Sequence, residues 1–274
     1  MKRNYYCLVA GLQDIVISTP KLVLSQLAFR DDLRNELHPD DYKLVEKLFL
    51  PIDNTNLLNL LEKNGKPHDE RGNYTREELE ENIKDPAELP SYMQQFVEAF
   101  KAKDPIYPNL LPENELLTLL YTEMQRDSSN FIINWFQFEA NIRNILTALN
   151  SRKHGIEYEN QIIGIDDIAQ TIRRSQARDF GLSGEIDYME DLVSISRIDD
   201  VQEREKALDT LRWNYLDEAI FFEYFTVDRV MAFVIKLGIV ERWMAVSKEY
   251  GEELFKKLFD ELKQSYELPE TFMA

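Results

Sequence analysis

The sequence is short of cysteine, histidine, glycine and positive charge, and each shortage removes a class of function. One cysteine, Cys7, excludes an intramolecular disulfide, and three histidines are too few for the usual zinc site. Such usage suits a reducing compartment, so a cytoplasmic protein is expected. The nine glycines never fall into GxGxxG or GxxxxGK, which leaves no backbone cradle for a nucleotide phosphate. Thirty-two basic residues face 50 acidic ones, and the net charge of −18 repels phosphate backbones and anionic lipid heads. Nucleic acid is therefore not an expected partner. No apolar run approaches the roughly 18 residues that cross a bilayer. The apolar stretch near the N-terminus meets Gln13 and Asp14 too soon for a cleaved signal peptide.

What the chain has is helix-forming sequence. Its 274 residues, 44% hydrophobic and 30% charged, suffice for a sizeable core. Prolines and glycines lie mostly between stretches of 3.6-residue apolar rhythm, which predicts an all-α array of packed helices. Only the first 16 residues, with Tyr5, Tyr6, Leu8 and Val9 ahead of Gly11, leave a short strand or extended lead-in open. Ser18-Thr19-Pro20 is expected to open a helix reaching about Leu37. Helices over 40–50, 54–63, 75–84, 91–102 and 112–126 follow, the third with the Thr75 to Glu78 capping-box pattern. The polar stretch 64–74 reads as an exposed, mobile loop. Together with the glycine turn near 178–184, it is where an otherwise single helical domain could divide.

Phe131, Trp135, Phe138, Ile142, Ile145 and Leu149 form an apolar stripe on a helix over 131–150. On another face Asn134, Gln137, Asn141 and Asn144 stand in register, and Glu139 has Arg143 one turn on. A solvent face has no need of four aligned amides, so a partner or another helix is expected to meet them, with Glu139 beside them. After a helix capped by Asp166 or Asp167, further helices are expected over 186–195, 201–224, 226–247 and 249–266. Leu208, Leu211, Tyr215, Ala219 and Phe222 make the apolar stripe of the second of these.

Material for catalysis is thin. His38, His68 and His154 lie in polar or helix-terminal sequence, and Cys7 has no histidine near it. Glu139, Glu218 and Glu223 sit among large apolar residues, which would suit a carboxylate site, but ExxH, the di-metal pattern of helical bundles, occurs nowhere. Ion pairs account for such carboxylates as well, Glu139 with Arg143 and Asp217 or Glu223 with Arg212 or Arg229 across a packed helix. Arg173, Arg174 and Arg178 complement a helix C-terminus. No catalytic residue, cofactor or metal is expected.

The segment from Tyr5 through Leu12, YYCLVAGL, resembles the start of a bacterial family of uncharacterised proteins encoded among V-type ATPase genes. That family is itself similar to the C (also called d) subunit of V/A-type rotary ATPases. FQFEANIRNIL, from Phe136 to Leu146, resembles that subunit's Glu- and Asn-bearing helix, and the run from Tyr224 to Leu258, with Glu241 and Arg242, resembles its long C-terminal helices. The resemblance implies a non-catalytic, cup- or wedge-shaped helical subunit. It would link the central rotor stalk to the membrane proteolipid ring and serve proton or ion transport, touching the membrane only through its partners. The chain departs from that subunit in being shorter and in lacking three recognisable helical repeats. A helical adaptor with an unrelated protein client is the alternative, and a carboxylate-site enzyme the third.

Overall fold

A computed structural model of the chain describes residues 3–19 and 22–265, with side chains through 246. Among those residues it has twelve α-helices, two short 3-10 turns and no strand, so the all-α expectation holds. The lead-in left open by the sequence is a helix, α1 (Tyr6–Ala10). Pro20 lies outside the described residues, and the helix expected from there begins later: α2 (Gln26–Glu36) is capped by Ser25, whose hydroxyl accepts from the Ala28 amide at 3.1 Å. Both serines offer the same cap chemistry, and the later start still puts Phe29 and Leu33 into the core.

Pro51 opens a helix where the sequence suggested a stop. α3 (Pro39–Lys47) gives way to α4 (Leu50–Glu62), and Pro51 sits in the first turn, where a missing amide costs no helical bond. α5 (Arg76–Lys84) has the expected capping box: Thr75 Oγ1 accepts from the Glu78 amide at 3.2 Å, and the Glu78 carboxylate accepts from the Thr75 amide at 2.7 Å. α6 (Ser91–Ala102) and α7 (Pro112–Met124) pack against each other, and α7 also packs on α4.

The stretch 64–74 is tethered rather than free. The buried Asp53 carboxylate accepts from the Asn73 amide at 2.7 Å, from Asn73 Nδ2 at 2.6 Å and from the Tyr74 amide at 3.3 Å. The Asn56 side chain bonds both the amide and the carbonyl of Asp69, each at 2.9 Å. Arg30 donates to the carbonyls of Arg71 and Gly72. Helices α2 and α4 thus hold the connection down with side chains far from it in sequence.

α8 (Asn130–His154) touches α7, α9 (Asp167–Arg174) and α10 (Met189–Ile195), so its buried stripe forms the middle of the array. α11 (Val201–Ala219) ends five residues before the expected 224. α12 (Val227–Ser265) runs unbroken through the joint expected at 247–249; Tyr266 lies outside the described residues. Its 39 residues make a rod of about 58 Å. Val230, Met231, Val234, Leu237 and Val240 are all buried, as a helix covered by α2, α3 and α11 requires. Gly238 admits α2 closely: a Cβ there would meet the Gln26 side chain. Gln26 donates through Nε2 to the Val234 carbonyl at 2.9 Å and through its amide to Glu241 at 2.7 Å.

Candidate functional site

The amide row of α8 is met from within the chain. Gln137 Nε2 donates to Asn141 Oδ1 at 2.9 Å, and Asn141 Nδ2 donates to the Tyr188 hydroxyl at 3.1 Å. Burial pushes the Tyr188 phenol up to about 12, although the bond from Asn141 works against the rise. One turn on, Asn144 makes a double bond pattern to Ile163, accepting from its amide at 2.9 Å and donating to its carbonyl at 2.8 Å. The next amide, Gly164, donates to the buried Thr118 hydroxyl on α7 at 3.0 Å. Asn141 and Asn144 are buried, so these two fix the 162–164 segment and the entry to α10 against α8. Asn134 alone of the four is exposed, and its backbone carbonyl accepts from the Tyr215 hydroxyl at 3.1 Å.

Glu139 pairs with a different arginine from the one a local rule selects. Its carboxylate receives Arg212 Nε at 2.7 Å and Nη2 at 3.2 Å, while Arg143 reaches instead to Glu113 and Asn114. Arg212 also donates to Asp209 at 3.2 Å, and Asp209 accepts from Arg242 and, at 2.7 Å, from the Trp243 indole. Burial works against the charge on Arg212, yet the two carboxylates hold it above its ordinary pKa. The result is a charged chain from α8 through α11 to α12, with Asp209 completely enclosed at 0% exposure. Beside it the rings of Phe138 and Tyr215 stack at 3.8 Å, with Tyr188 edge-on to Phe138. Nothing in the sequence singled out Asp209; its one signal is a carboxylate between Leu208 and Leu211 on an apolar stripe.

The other candidate carboxylates do not join Glu139. Glu218 is exposed at the end of α11, and Glu223 accepts from the Thr226 hydroxyl at 2.9 Å. Among the described residues, no group of three or more His, Cys, Asp or Glu side chains is placed to hold a metal ion. Arg173 serves a turn rather than its own helix end, donating to the carbonyls of Ile162 and Gly164, and burial lowers its pKa. With Arg152, which donates to the Ala177 carbonyl at 2.6 Å and to Tyr158, it lines a half-open cleft of about 840 Å³. Both guanidiniums are engaged with the cleft's own walls.

The end of α11 supplies the feature that periodicity concealed. The stripe predicted to bury Phe222 stops at Ala219, and the chain turns through Ile220, Phe221 and Glu223 in short i to i+3 bonds. Phe221, Phe222 and Tyr224 stand 65%, 79% and 62% exposed. The loop is joined to the N-terminus: the Tyr5 amide donates to the Phe225 carbonyl at 2.7 Å, and the rings of Tyr6 and Phe225 lie 4.7 Å apart. Tyr5 is anchored in turn by its hydroxyl on Asp41.

Fold and site together define an all-helical protein whose polar networks brace helices against one another and whose exposed aromatic residues gather at one loop. Among the described residues no helix is long and apolar enough to cross a membrane. The chain belongs to a family described as proteins of unknown function, DUF2764, whose model matches residues 1–266. No curated protein and no solved structure shows a significant match to it.

Proposed function

We propose that the chain is a non-catalytic coupling subunit of a V/A-type rotary ATPase, linking the central rotor stalk to the membrane proteolipid ring. The observation that supports it is the meeting of the three stretches that carry the resemblance. The Tyr5 to Leu12 segment bonds the Tyr224 to Leu258 run at Phe225, and Glu139 in the Phe136 to Leu146 segment reaches Arg242 of that run through Arg212 and Asp209. Segments with at least 77 residues between them in the sequence thus form one braced unit. A coupling subunit needs such bracing, because torque passes through packed helices and charged networks, and it needs no catalytic group. The acidic surface suits basic stalk helices. In this role the chain works on the cytoplasmic side, bound to the membrane through its complex and handling neither nucleotide nor ion itself.

Co-expression with the central-stalk and proteolipid subunits of the same organism tests the proposal, with size-exclusion chromatography at low and high salt. Co-elution with either subunit that weakens as salt rises is expected. Separation from both folded partners would overturn the proposal and leave a helical adaptor with another protein client.

A further inference from the structure

The groove between α4 and α5 inverts the charge of the protein around it. Over residues 56–85 the chain carries eight carboxylates and five Lys or Arg side chains, in keeping with its net charge of −18. The groove, of about 460 Å³, takes four of those five cations, Lys63, Lys66, Arg76 and Lys84, and only one carboxylate, Glu80. That carboxylate is engaged: Glu80 pairs with Arg76 one turn away at 2.9 Å. Lys63, Lys66 and Lys84 are exposed, and among the described residues none of the three has an ion-pair partner. Helix geometry sorts the charges. Positions 76, 80, 83 and 84 of α5 share the face on the groove, whereas Glu77, Glu78 and Glu81 do not line it. Positions 56, 59, 60 and 63 of α4 form the facing wall, and the stretch 65–68 completes it. That stretch is held in place, because Asn56 bonds both the amide and the carbonyl of Asp69 and His68 Nε2 donates to the Tyr74 carbonyl at 3.1 Å. A tethered wall lowers the ordering cost of binding.

Range and chemistry narrow the ligand. The larger cleft at Arg152 and Arg173 lacks the imbalance, since Glu157 and Glu159 line it with them. At about 150 mM salt, charges are screened beyond about 8 Å. A small anion inside the α4–α5 groove therefore answers to the three ammonium groups, whereas a duplex or a membrane spans several screening lengths and meets the acidic surface outside. Carboxylates are matched by the planar fork of arginine, and the groove's one arginine is taken by Glu80. Free ammonium groups act instead as point charges for phosphate oxygens. Leu60, Pro67 and Ile83 add apolar wall for a ligand body beyond the phosphate. We propose that the groove between α4 and α5 is a binding site for a small organic phosphate, with Lys63, Lys66 and Lys84 supplying the charge that holds it. The groove lies outside the segments that carry the rotary assignment, so either reading can fail without the other.

The test is isothermal titration calorimetry of the full-length chain with phenyl phosphate, inorganic phosphate and benzoate. It is run at about 150 mM sodium chloride and about pH 8, where a phosphate with its second pKa near about 6 is a dianion. Phenyl phosphate is expected to bind saturably at one site, inorganic phosphate more weakly, and benzoate not at all. The Lys66→Gln, Lys84→Gln double variant should weaken phenyl phosphate by about tenfold or more. Lys66→Arg, Lys84→Arg, which keeps the charge, should retain binding. Lys43→Gln, Lys206→Gln removes the same charge from two exposed positions outside the groove and should leave binding unchanged. All four altered side chains are exposed, so unchanged thermal melts are expected and would separate lost binding from lost fold. No saturable binding of phenyl phosphate, equal binding of benzoate, or equal weakening by the two glutamine double variants would overturn the proposal. So would sedimentation with vesicles of phosphatidylcholine and phosphatidylinositol 4-phosphate that depends on Lys66 and Lys84, which assigns the phosphate to a lipid headgroup. A mobility shift of duplex RNA that depends on the same two lysines would overturn it as well, by assigning the groove to a nucleic acid.

Discussion

Asp53 carries a conflict that pH can expose. Burial pushes its carboxyl up to about 7, against three N–H donors from Asn73 and Tyr74 that favour the charged form. Between its unfolded value of 3.8 and about 7, the folded state keeps a proton that the unfolded chain has released. Its contribution to stability is therefore full below about pH 4 and is lost as pH rises through about 7. Urea melts at about pH 5 and about pH 8 should show a steeper loss in the wild type than in Asp53→Asn, and equal slopes would mean that Asp53 titrates normally. A methyl group on Gly72 would strike Asp53 Oδ1 in a loop already clamped by Arg30, so Gly72→Ala should cost about 1–3 kcal/mol, read from the urea midpoint. Neither residue was legible in advance. In LPIDNTNLLNLL, Asp53 reads as a polar residue after a proline, and the donors that define it lie about 20 residues away.

Local signals served well where a helix end depends on its own neighbours, as at Thr75 and Glu78, and failed where distant packing decides. The spacing of Glu139 and Arg143 promised a pair, but Arg212 gives Glu139 a two-point contact and frees Arg143 for Glu113. Periodicity carried α11 on to Phe222 because the turn after Ala219 has neither proline nor glycine to mark it. The same network yields a prediction for the element scale. Asp209→Ala removes the acceptor shared by Arg212, Arg242 and Trp243. Because Glu139 still pairs with Arg212 and Arg242 is half exposed, the expected cost is about 3 kcal/mol, the low end for removing one partner of a buried pair. Chemical denaturation measures it. A change below about 0.5 kcal/mol would mean that α8, α11 and α12 are held by apolar packing alone.

For the whole molecule, fold and association should answer to salt in opposite directions. A net charge of −18 on one chain sets acidic surface against acidic surface, and unfolding relieves that repulsion by spreading the charge. Several ion pairs that salt would weaken are exposed, such as Arg76 with Glu80 and Lys153 with Asp199, and each contributes little to the fold. The enclosed Asp209 is screened far less. Repulsion therefore dominates the salt response of the fold. Raising sodium chloride from about 10 mM to about 500 mM shortens the Debye length from about 30 Å to below about 8 Å, and Tm should rise by about 2–4 °C for each kcal/mol of repulsion removed. Attraction between this acidic surface and a basic partner is screened by the same ions, so a complex should weaken over the range in which the isolated chain gains stability. A fall in Tm across that range would show that ion pairs outweigh repulsion. The salt dependence of any complex would then have to be separated from loosening of the subunit itself.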